Sequence, residues 1–380
     1  MTKVRVVWLF VSLVVVTTLA VSLHAQDSRE LKAELSLAGG KTVFRSGETV
    51  RLVITFTSNT PDYTVDVDRE TYLDKLSIDP TAGLFDRIAD FYGGPPSFSD
   101  SISLNQLSTE PVNVTVSLND YFRFETAGKY TVRLTSKRVR RKEAGTREWD
   151  PGTPIEVKTN PISFEIVPMT EADEAAEAAG LAKALVMSGD RSAQSRLAEE
   201  LANLPGDGAV PEKVKQFLVT RKDPGNSYGG ALYQGLFVSR NRSLVAKFLE
   251  PDLLDLSKPV DTEVLGVLSA LRARAALAAA GKAYVGRDND ETSVQNEVFA
   301  EAEAHYLQLV IDGMPKRQGT SLFETVYALF RTRQRQLSPT MVARLRDVIL
   351  KNFDSLNAFS REDLLSNLWD QIKDPSLEPS

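Results

Sequence analysis

Residues 162–173, ISFEIVPMTEAD, contain the change of pattern that decides the fold. Before Pro168, Ile162–Val167 alternates apolar and polar residues, which is the period of a strand with one buried face. After it, Thr170 and Asp173 have the spacing of a capping box at the start of a helix. The sequence therefore predicts a boundary at Pro168. It separates a β domain at 27–168 from a helical domain at 169–373, followed by a flexible tail at 374–380.

The residues upstream of Pro168 repeat the strand pattern. Residues 50–57 (VRLVITFT) and 112–118 (VNVTVSL) alternate in the same way, and Gly128 precedes a third run, KYTVRLTS. Short strands in series, rich in Val, Thr and Tyr, are typical of an antiparallel sandwich. We therefore expect an all-β domain before the boundary.

Three short patterns in this region resemble those of bacterial immunoglobulin-like domains and of exported proteins that contain them. They are FRSGETV at 44–50, AGKYTV at 127–132 and LNDYFRFE at 118–125. The chain is similar to exported bacterial proteins of unknown function that join such a domain to a helical repeat. The resemblance implies an Ig-like β-sandwich, and it implies no catalytic residues.

From Thr170 onward the sequence has helical periodicity, interrupted by Gly and Pro. The interruptions predict roughly ten helices of about 10–20 residues with short connections. A spacing of about 40 residues per helix pair fits a degenerate HEAT/armadillo-like stack. Residues 264–280 are small and apolar nearly all round, which predicts a central buried helix.

The first residues have the order of a secretory signal peptide. Lys3 and Arg5 precede an uncharged apolar run, and Ala25 offers a small residue at a cleavage point before Gln26. The run is too short to favour a permanent membrane span. We expect residues 1–25 to be removed and the mature protein to be secreted or periplasmic.

The charge and cysteine content exclude several classes of function. The chain has 45 basic and 51 acidic side chains, and the leader holds two of the basic ones, so the mature charge is 43 − 51 = −8. An acidic protein is not built to coat nucleic acid or anionic lipid. With no cysteine, an exported protein depends on its hydrophobic core for stability.

Few residues offer nucleophilic or metal chemistry. His305 is the one histidine beyond the leader, so a Ser-His-Asp triad or a zinc site would have to use it. Glu297, Glu301 and His305 share one helix face, which fits either a metal site or a solvated acidic face. We expect the solvated face, no metal and no cofactor.

Two segments of the β domain are candidate partner-binding sites. Arg138, Arg140, Arg141 and Lys142 form a basic group in an otherwise acidic protein, which suits an acidic partner. The alternative is a solvated hairpin whose charges protect a sheet edge. Phe91, Tyr92 and Phe98 lie in a long insertion and would either anchor a partner or fold back over the sheet.

These observations favour an exported, non-enzymatic interaction or scaffold protein, with a protein or envelope component as partner and no nucleic acid. The alternative is a carboxylate-based hydrolase acting on an envelope polymer, because a glycosidase needs only paired carboxylates. The sequence does not identify such a pair.

Overall fold

The computed structural model describes residues 30–67, 73–92, 103–142, 152–222, 228–282, 284 and 292–372. An N-terminal β-sheet region is followed by a C-terminal helical region. The chain divides into two compact units, of which the first, the β unit, comprises Met1–Asp86 and Pro95–Pro168. The second, the helical unit, comprises Arg87–Gly94 and Met169–Ser380.

The β unit contains short strands arranged in four sheets. Their bounds are β1 Leu31–Leu37, β2 Val43–Arg45, β3 Arg51–Ser58, β4 Tyr63–Asp66, β5 Asp74–Asp79, β6 Leu84–Asp86, β7 Leu104–Gln106, β8 Val112–Ser117, β9 Phe122–Phe124, β10 Gly128–Ser136, β11 Val139–Arg141, β12 Thr153–Pro154, β13 Val157–Lys158 and β14 Ile162–Val167.

Strand β3 shows how the sequence pattern sets the sheet. Leu52, Ile54 and Phe56 are buried, and the residues between them are partly exposed. Side chains alternate between the two faces of a strand, so this period of two places one face of β3 in the core. The strand pairs antiparallel with both β1 and β8.

Strand β10 is the centre of the largest sheet. It pairs antiparallel with β5 on one side and with β13 and β14 on the other. Strand β14 in turn pairs parallel with β2. The rings of Tyr130 on β10, Phe124 on β9 and Phe164 on β14 form a buried aromatic cluster with centroids 5.0–5.9 Å apart. The remaining sheets have the orders β12-β11-β4-β7 and β6-β9.

Helices α1 and α2 interrupt the strand order, and the others follow it. Their bounds are α1 Arg87–Tyr92, α2 Leu118–Tyr121, α3 Glu171–Met187, α4 Arg191–Asn203, α5 Val210–Thr220, α6 Gly229–Val238, α7 Arg242–Leu253, α8 Thr262–Ala279, α9 Thr292–Gly313, α10 Gly319–Arg333, α11 Pro339–Asn352, α12 Ala358–Asp363 and α13 Trp369–Ile372. A π-helical turn, Leu364–Leu368, lies between α12 and α13. No helix in the described part of the chain has the length and apolar character needed to cross a bilayer.

Polar caps and one buried helix organise the helical unit. Thr170 caps α3 by accepting a hydrogen bond from the Asp173 amide at 3.1 Å, as the capping box predicts. Helix α8 buries nine of its 18 residues, among them Val264, Leu268 and Leu271. Its small apolar sequence lets neighbouring helices pack on several sides of it.

Helix α1 belongs to the helical unit although its neighbours in sequence, β6 and β7, belong to the β unit. The chain therefore passes between the units at Asp86–Arg87 and Gly94–Pro95 as well as at Pro168–Met169. The sequence indicated only the passage at Pro168, because a helix of six residues has too short a period to be recognised.

Candidate functional site

The first predicted site, the basic group, does not lie entirely on the surface. The Arg138 side chain is 1% exposed, and its Nε donates to Asp74 Oδ2 at 2.7 Å. Its Nη1 donates to the backbone oxygen of Asp66 at 3.3 Å. The sequence-based expectation that Arg138 contacts a partner is therefore corrected. It follows a strand whose buried face continues into the turn, so its side chain points into the core.

The other three basic residues are at least partly accessible. Arg140 is half-buried, and its Nη1 donates to the Gly152 oxygen at 3.3 Å. Arg141 is exposed, with its guanidinium 5.9 Å from the centre of the Tyr63 ring. Lys142 is half-buried. What remains of the predicted basic group is thus smaller and belongs to β11 and the residue after it.

The Arg138–Asp74 pair is a structural ion pair of the β unit. Burial raises the pKa of the Asp74 carboxyl, and the Arg138 guanidinium opposes that shift. Burial likewise raises the pKa of the neighbouring Tyr121 hydroxyl. With both charged side chains at or below 1% exposure, no polymeric substrate can reach them. The pair holds β5 against the turn that follows β10.

The structure describes only part of the second predicted site, the aromatic insertion. Phe98 lies outside the described residues, and only the main chain of Tyr92 is described. Phe91 is half-buried and packs against the core of the helical unit. Among the described contacts, the Phe91 ring packs against two aromatic residues of α6, a placement that neither predicted alternative named.

Phe91 and its neighbour Asp90 are held by a set of side chains that we call the α1-docking site: Tyr233, Phe237, Arg242 and Arg274. The Phe91 ring meets Tyr233 edge-on at 6.0 Å and Phe237 at 5.4 Å. The Asp90 carboxylate accepts hydrogen bonds from Arg242 and from Arg274. One short helix is therefore held through an acidic residue and an aromatic residue that are adjacent in sequence.

Arg274 makes the most contacts of this site. Its Nη1 donates to Asp90 Oδ2 at 3.1 Å and to the Asp90 backbone oxygen, and its Nη2 donates to the Phe91 oxygen at 3.0 Å. The guanidinium also lies 4.8 Å from the Phe237 ring centre and 4.5 Å from that of Tyr284. Planar guanidinium groups suit such combined stacking and forked hydrogen bonding.

The carboxylate that pairs with Arg274 belongs to α1. Its side chain is 6% exposed, and burial lowers the pKa of its guanidinium while Asp90 opposes that shift. Its Nε is buried and has no hydrogen-bond partner among the described residues. A buried cation costs free energy unless it is paired, so the Asp90 carboxylate is the main compensating group.

Local sequence explains how the α1-docking site is built. Tyr233 and Phe237 are four residues apart on α6 and so lie on one face of that helix. Arg242 begins α7 and donates from Nη2 to the Phe237 oxygen at 3.0 Å, which also satisfies a carbonyl at the carboxyl end of α6. The sequence analysis overlooked this site. The available signal was Arg274, a charged residue among the small apolar residues of helix α8.

A second buried polar cluster joins α5 to the carboxyl end of α6. Lys213 Nζ donates to the Gly235 oxygen at 3.0 Å and to Ser239 Oγ at 3.3 Å. Both side chains are fully buried, so this Ser–Lys contact cannot act as a nucleophile and base on an external substrate. It satisfies the carboxyl end of α6 instead.

One catalytic-looking pattern was missing from the sequence analysis. Gly225, Ser227 and Gly229 have the G-x-S-x-G spacing, but the segment connects α5 to α6, whereas a nucleophile elbow joins a strand to a helix. Residues 223–227 lie outside the described residues.

The face predicted as a possible metal site is solvent-exposed: His305, Glu297 and Glu301 are all exposed on α9. Within the described ranges, no group of three or more His, Cys, Asp or Glu residues could hold a metal ion.

Among the described residues, burial raises the pKa of three carboxyl groups, those of Asp74, Glu174 and Glu303. Each has its own partner, respectively Arg138, the Gly206 amide and Arg333. A glycosidase requires two carboxyl groups that face one substrate. These groups are engaged in separate contacts, so their raised pKa values do not indicate a catalytic pair.

Comparisons with known proteins give no relationship that carries an argument. No family model and no curated protein match the chain. A mutant of Salmonella alpha-2-macroglobulin is similar with a TM-score of 0.22 and 11% identity over 90% of this chain, which spans 26% of that protein. AvmM, which catalyses macrocyclization in alchivemycin A biosynthesis, has a TM-score of 0.16 at 17% identity, covering 37% of this chain and 92% of AvmM. A polysaccharide lyase has a TM-score of 0.13 at 11% identity, covering 85% of this chain and 41% of the lyase.

Proposed function

We propose that this chain is an exported interaction protein in which an Ig-like β-sandwich is joined to a degenerate HEAT/armadillo-like helical array. The leader pattern at residues 1–25 supports export, and the alternating strands and serial helices support the two module types. The partner is a protein or another component of the bacterial envelope.

The observation that carries the proposed function is the composition of the α1-docking site. Binding energy at protein interfaces is concentrated in a few aromatic and arginine residues. The α1-docking site brings these residue types together from three helices. Its residues bind a separate short segment, α1, through side chains and main chain. The site is thus equipped for recognition, and it contains no arranged nucleophile and base.

Export is tested by the N-terminus of the secreted protein. Signal peptidase should cleave after Ala25, so N-terminal sequencing of mature material from the native host should begin at or near Gln26. Mature material that retains Met1 would contradict export.

Interaction is tested by crosslinking and capture from the native envelope with the full chain. We expect a captured component whose yield falls in the Arg242→Ala/Arg274→Ala variant. The matched control is Arg272→Ala, which removes an exposed arginine from the same helix α8. Equal capture by wild type, variant and control would place the interaction elsewhere, and no capture by any of them would contradict the proposed function.

A further inference from the structure

Helix α1 is bound to the rest of the helical unit in the manner of a peptide ligand. Its contacts combine a carboxylate (Asp90), a ring (Phe91) and the backbone oxygens of both residues. Its first residue, Arg87, adds a bond from Nη1 to Asn203 Oδ1 at 2.8 Å. Recognition of side chains together with main chain is how proteins read short segments of sequence.

The conformation of α1 depends on the site that holds it. The helix has six residues, and an isolated helix this short is unstable in water because nucleation is unfavourable. The α1-docking site therefore selects the folded form of the segment. A peptide of the same chemistry would be ordered in the same way on binding.

The α1-docking site is built on helices with a core of their own. Leu232 and Leu236 on α6, Val245 and Leu249 on α7 and Leu268 on α8 are fully buried in the main core cluster. These helices are thereby held together by contacts other than those of α1. We expect the site to keep its shape when α1 leaves.

The charges of the site define which segments fit. Arg242 and Arg274 both donate to one carboxylate, and the rings of Tyr233 and Phe237 contact the following aromatic residue. A basic residue in place of Asp90 would meet two arginines. Arg274 also retains a buried Nε donor without a partner among the described residues, which an additional acceptor in another segment could use.

We propose that the α1-docking site recognises a peptide segment in which an acidic residue is followed directly by an aromatic one, and that Asp90–Phe91 is its internal ligand. This inference rests on the proposed interaction function and names the class of partner. A partner segment binds by displacing α1. The site thus combines recognition with self-occlusion.

The strength of the internal contact follows from chain connectivity. A tethered segment competes at an effective concentration of about 1 mM. For the segment to occupy the site about 90% of the time, its intrinsic dissociation constant must be about 0.1 mM or lower. External segments compete only when they bind more tightly or are concentrated locally.

The test uses full-chain protein and a labelled peptide of residues 84–92, LFDRIADFY. In the Asp90→Ala/Phe91→Ala variant, α1 loses the two side chains that the site binds, while the residues of the site itself are unchanged, so we expect the site to be open. Fluorescence anisotropy should show peptide binding to this variant with a Kd of about 0.1 mM or lower, and at least about tenfold weaker binding to wild type. A peptide carrying D90N and F91A should lose at least about tenfold in affinity.

Two controls separate this site from non-specific binding. Adding Arg274→Met to the double variant should abolish binding, whereas adding Arg272→Ala should leave it unchanged. A folded double variant that binds no peptide at about 1 mM would overturn the inference. The capture experiment above would still decide the interaction function, so the two failures are distinguishable.

A measurement on the wild-type protein covers the case in which the double variant does not fold. Release of α1 from a folded helical unit should let its amides exchange hydrogen with little dependence on added urea. Amides of α8 should instead exchange with the steep urea dependence of unfolding. If the protected amides of α1 show the same steep dependence as those of α8, α1 leaves only when the unit unfolds, and the inference is wrong.

Discussion

The β unit and the helical unit each bury an ion-paired arginine, but different parts of the fold hold the carboxylate. Asp74, the partner of Arg138, lies on β5, and it is directly opposite Ser136 in the ladder between β5 and β10. Asp90, the partner of Arg274, lies on a six-residue helix that no sheet ladder holds. The first carboxylate is fixed by backbone pairing and the second by side-chain contacts and Arg274 bonds to backbone oxygens.

The difference shows how a buried ion pair can be either permanent or separable. Breaking the Arg138–Asp74 pair would require β5 to leave β10, which removes part of the core of the β unit. Breaking the Arg274–Asp90 pair requires only that α1 leave. Arg274 and Asp90 are also 184 residues apart in sequence, whereas Arg138 and Asp74 are 64 residues apart. We therefore expect the two pairs to respond differently to the same substitutions.

The largest effect is expected for Asp74→Ala. It removes the carboxylate that pairs with the buried Arg138, and removing one partner of a buried ion pair typically costs about 3–5 kcal/mol of unfolding free energy. Urea unfolding of the full chain, followed by circular dichroism, should show this loss in the β unit. Asp74→Asn, which retains a hydrogen-bond acceptor but not the charge, serves as the control. A loss below about 1 kcal/mol would mean that water or another group compensates Arg138.

A smaller effect is expected for the second pair. A double-mutant cycle on Asp90→Ala and Arg274→Met should give a coupling free energy of about 1–3 kcal/mol. The effect is smaller because the Asp90 side chain is 19% exposed. In addition, loss of this pair should release α1 without unfolding the helical unit. The control is Ala89→Ser, an exposed position on α1. Coupling larger than the loss at Asp74 would break the comparison between the units.

Glu303 and Arg333 supply an ordinary ion pair of the helical unit as a reference. Their atoms are 2.7 Å apart, and burial raises the pKa of the Glu303 carboxyl while Arg333 opposes the shift. A raised folded-state pKa gives stability that is fully present below the unfolded value, about 4.3, and is lost as pH rises through the folded value.

Replacing Glu303 by Gln should therefore remove one pH-dependent contribution. Relative to this variant, wild type should lose stability as pH rises from about 4.3 through the folded pKa, with a total change of about 1 kcal/mol or less. Urea unfolding at several pH values measures it. A wild-type curve that instead gains stability relative to the variant over this range would show that Arg333 outweighs burial.

The smallest effect is expected at Lys142, which follows Arg138 by only one strand. Lys142→Glu should change the unfolding free energy by less than about 0.5 kcal/mol, because accessible residues contribute little to folding. If the residual basic group contacts an acidic partner, this reversal should also slow association and reduce its salt dependence. A thermal melt and association kinetics at two salt concentrations decide both points. A clear loss of thermal stability would mean that Lys142, like Arg138, stabilises the fold of the β unit.

Sequence alone predicted those strands and helices whose hydrophobic pattern extends over enough residues to be recognised. The alternation in β3 and β10 and the capping box at Thr170 are local properties, and the structure has them where the sequence indicates. The small apolar residues of α8 likewise predicted a buried helix. The Ig-like and HEAT/armadillo-like classes remain proposals, because they depend on the packing of sheets and helices rather than on local pattern.

The candidate sites were less predictable, because burial of a charge depends on distant partners. Arg138 and Arg141 look equivalent in sequence, but Arg138 is buried and donates to Asp74 on a neighbouring strand, whereas Arg141 is exposed. Phe91 was recognised as unusual, although its partners are residues of α6 more than a hundred positions away. A charge in an apolar helix, such as Arg274, signals that a partner exists without identifying it.

The position of α1 in the sequence, far ahead of the residues that bind it, also sets an order of events during synthesis. Asp90 leaves the ribosome 184 residues before Arg274, which at 5–20 residues per second is a delay of about 9–37 s. Strand pairing and the first helices have time to form within that interval. Until α6 has been made, Phe91 lacks the rings of Tyr233 and Phe237 that it packs against in the folded protein. Seating of α1 therefore has to wait until α6, α7 and α8 have been synthesised.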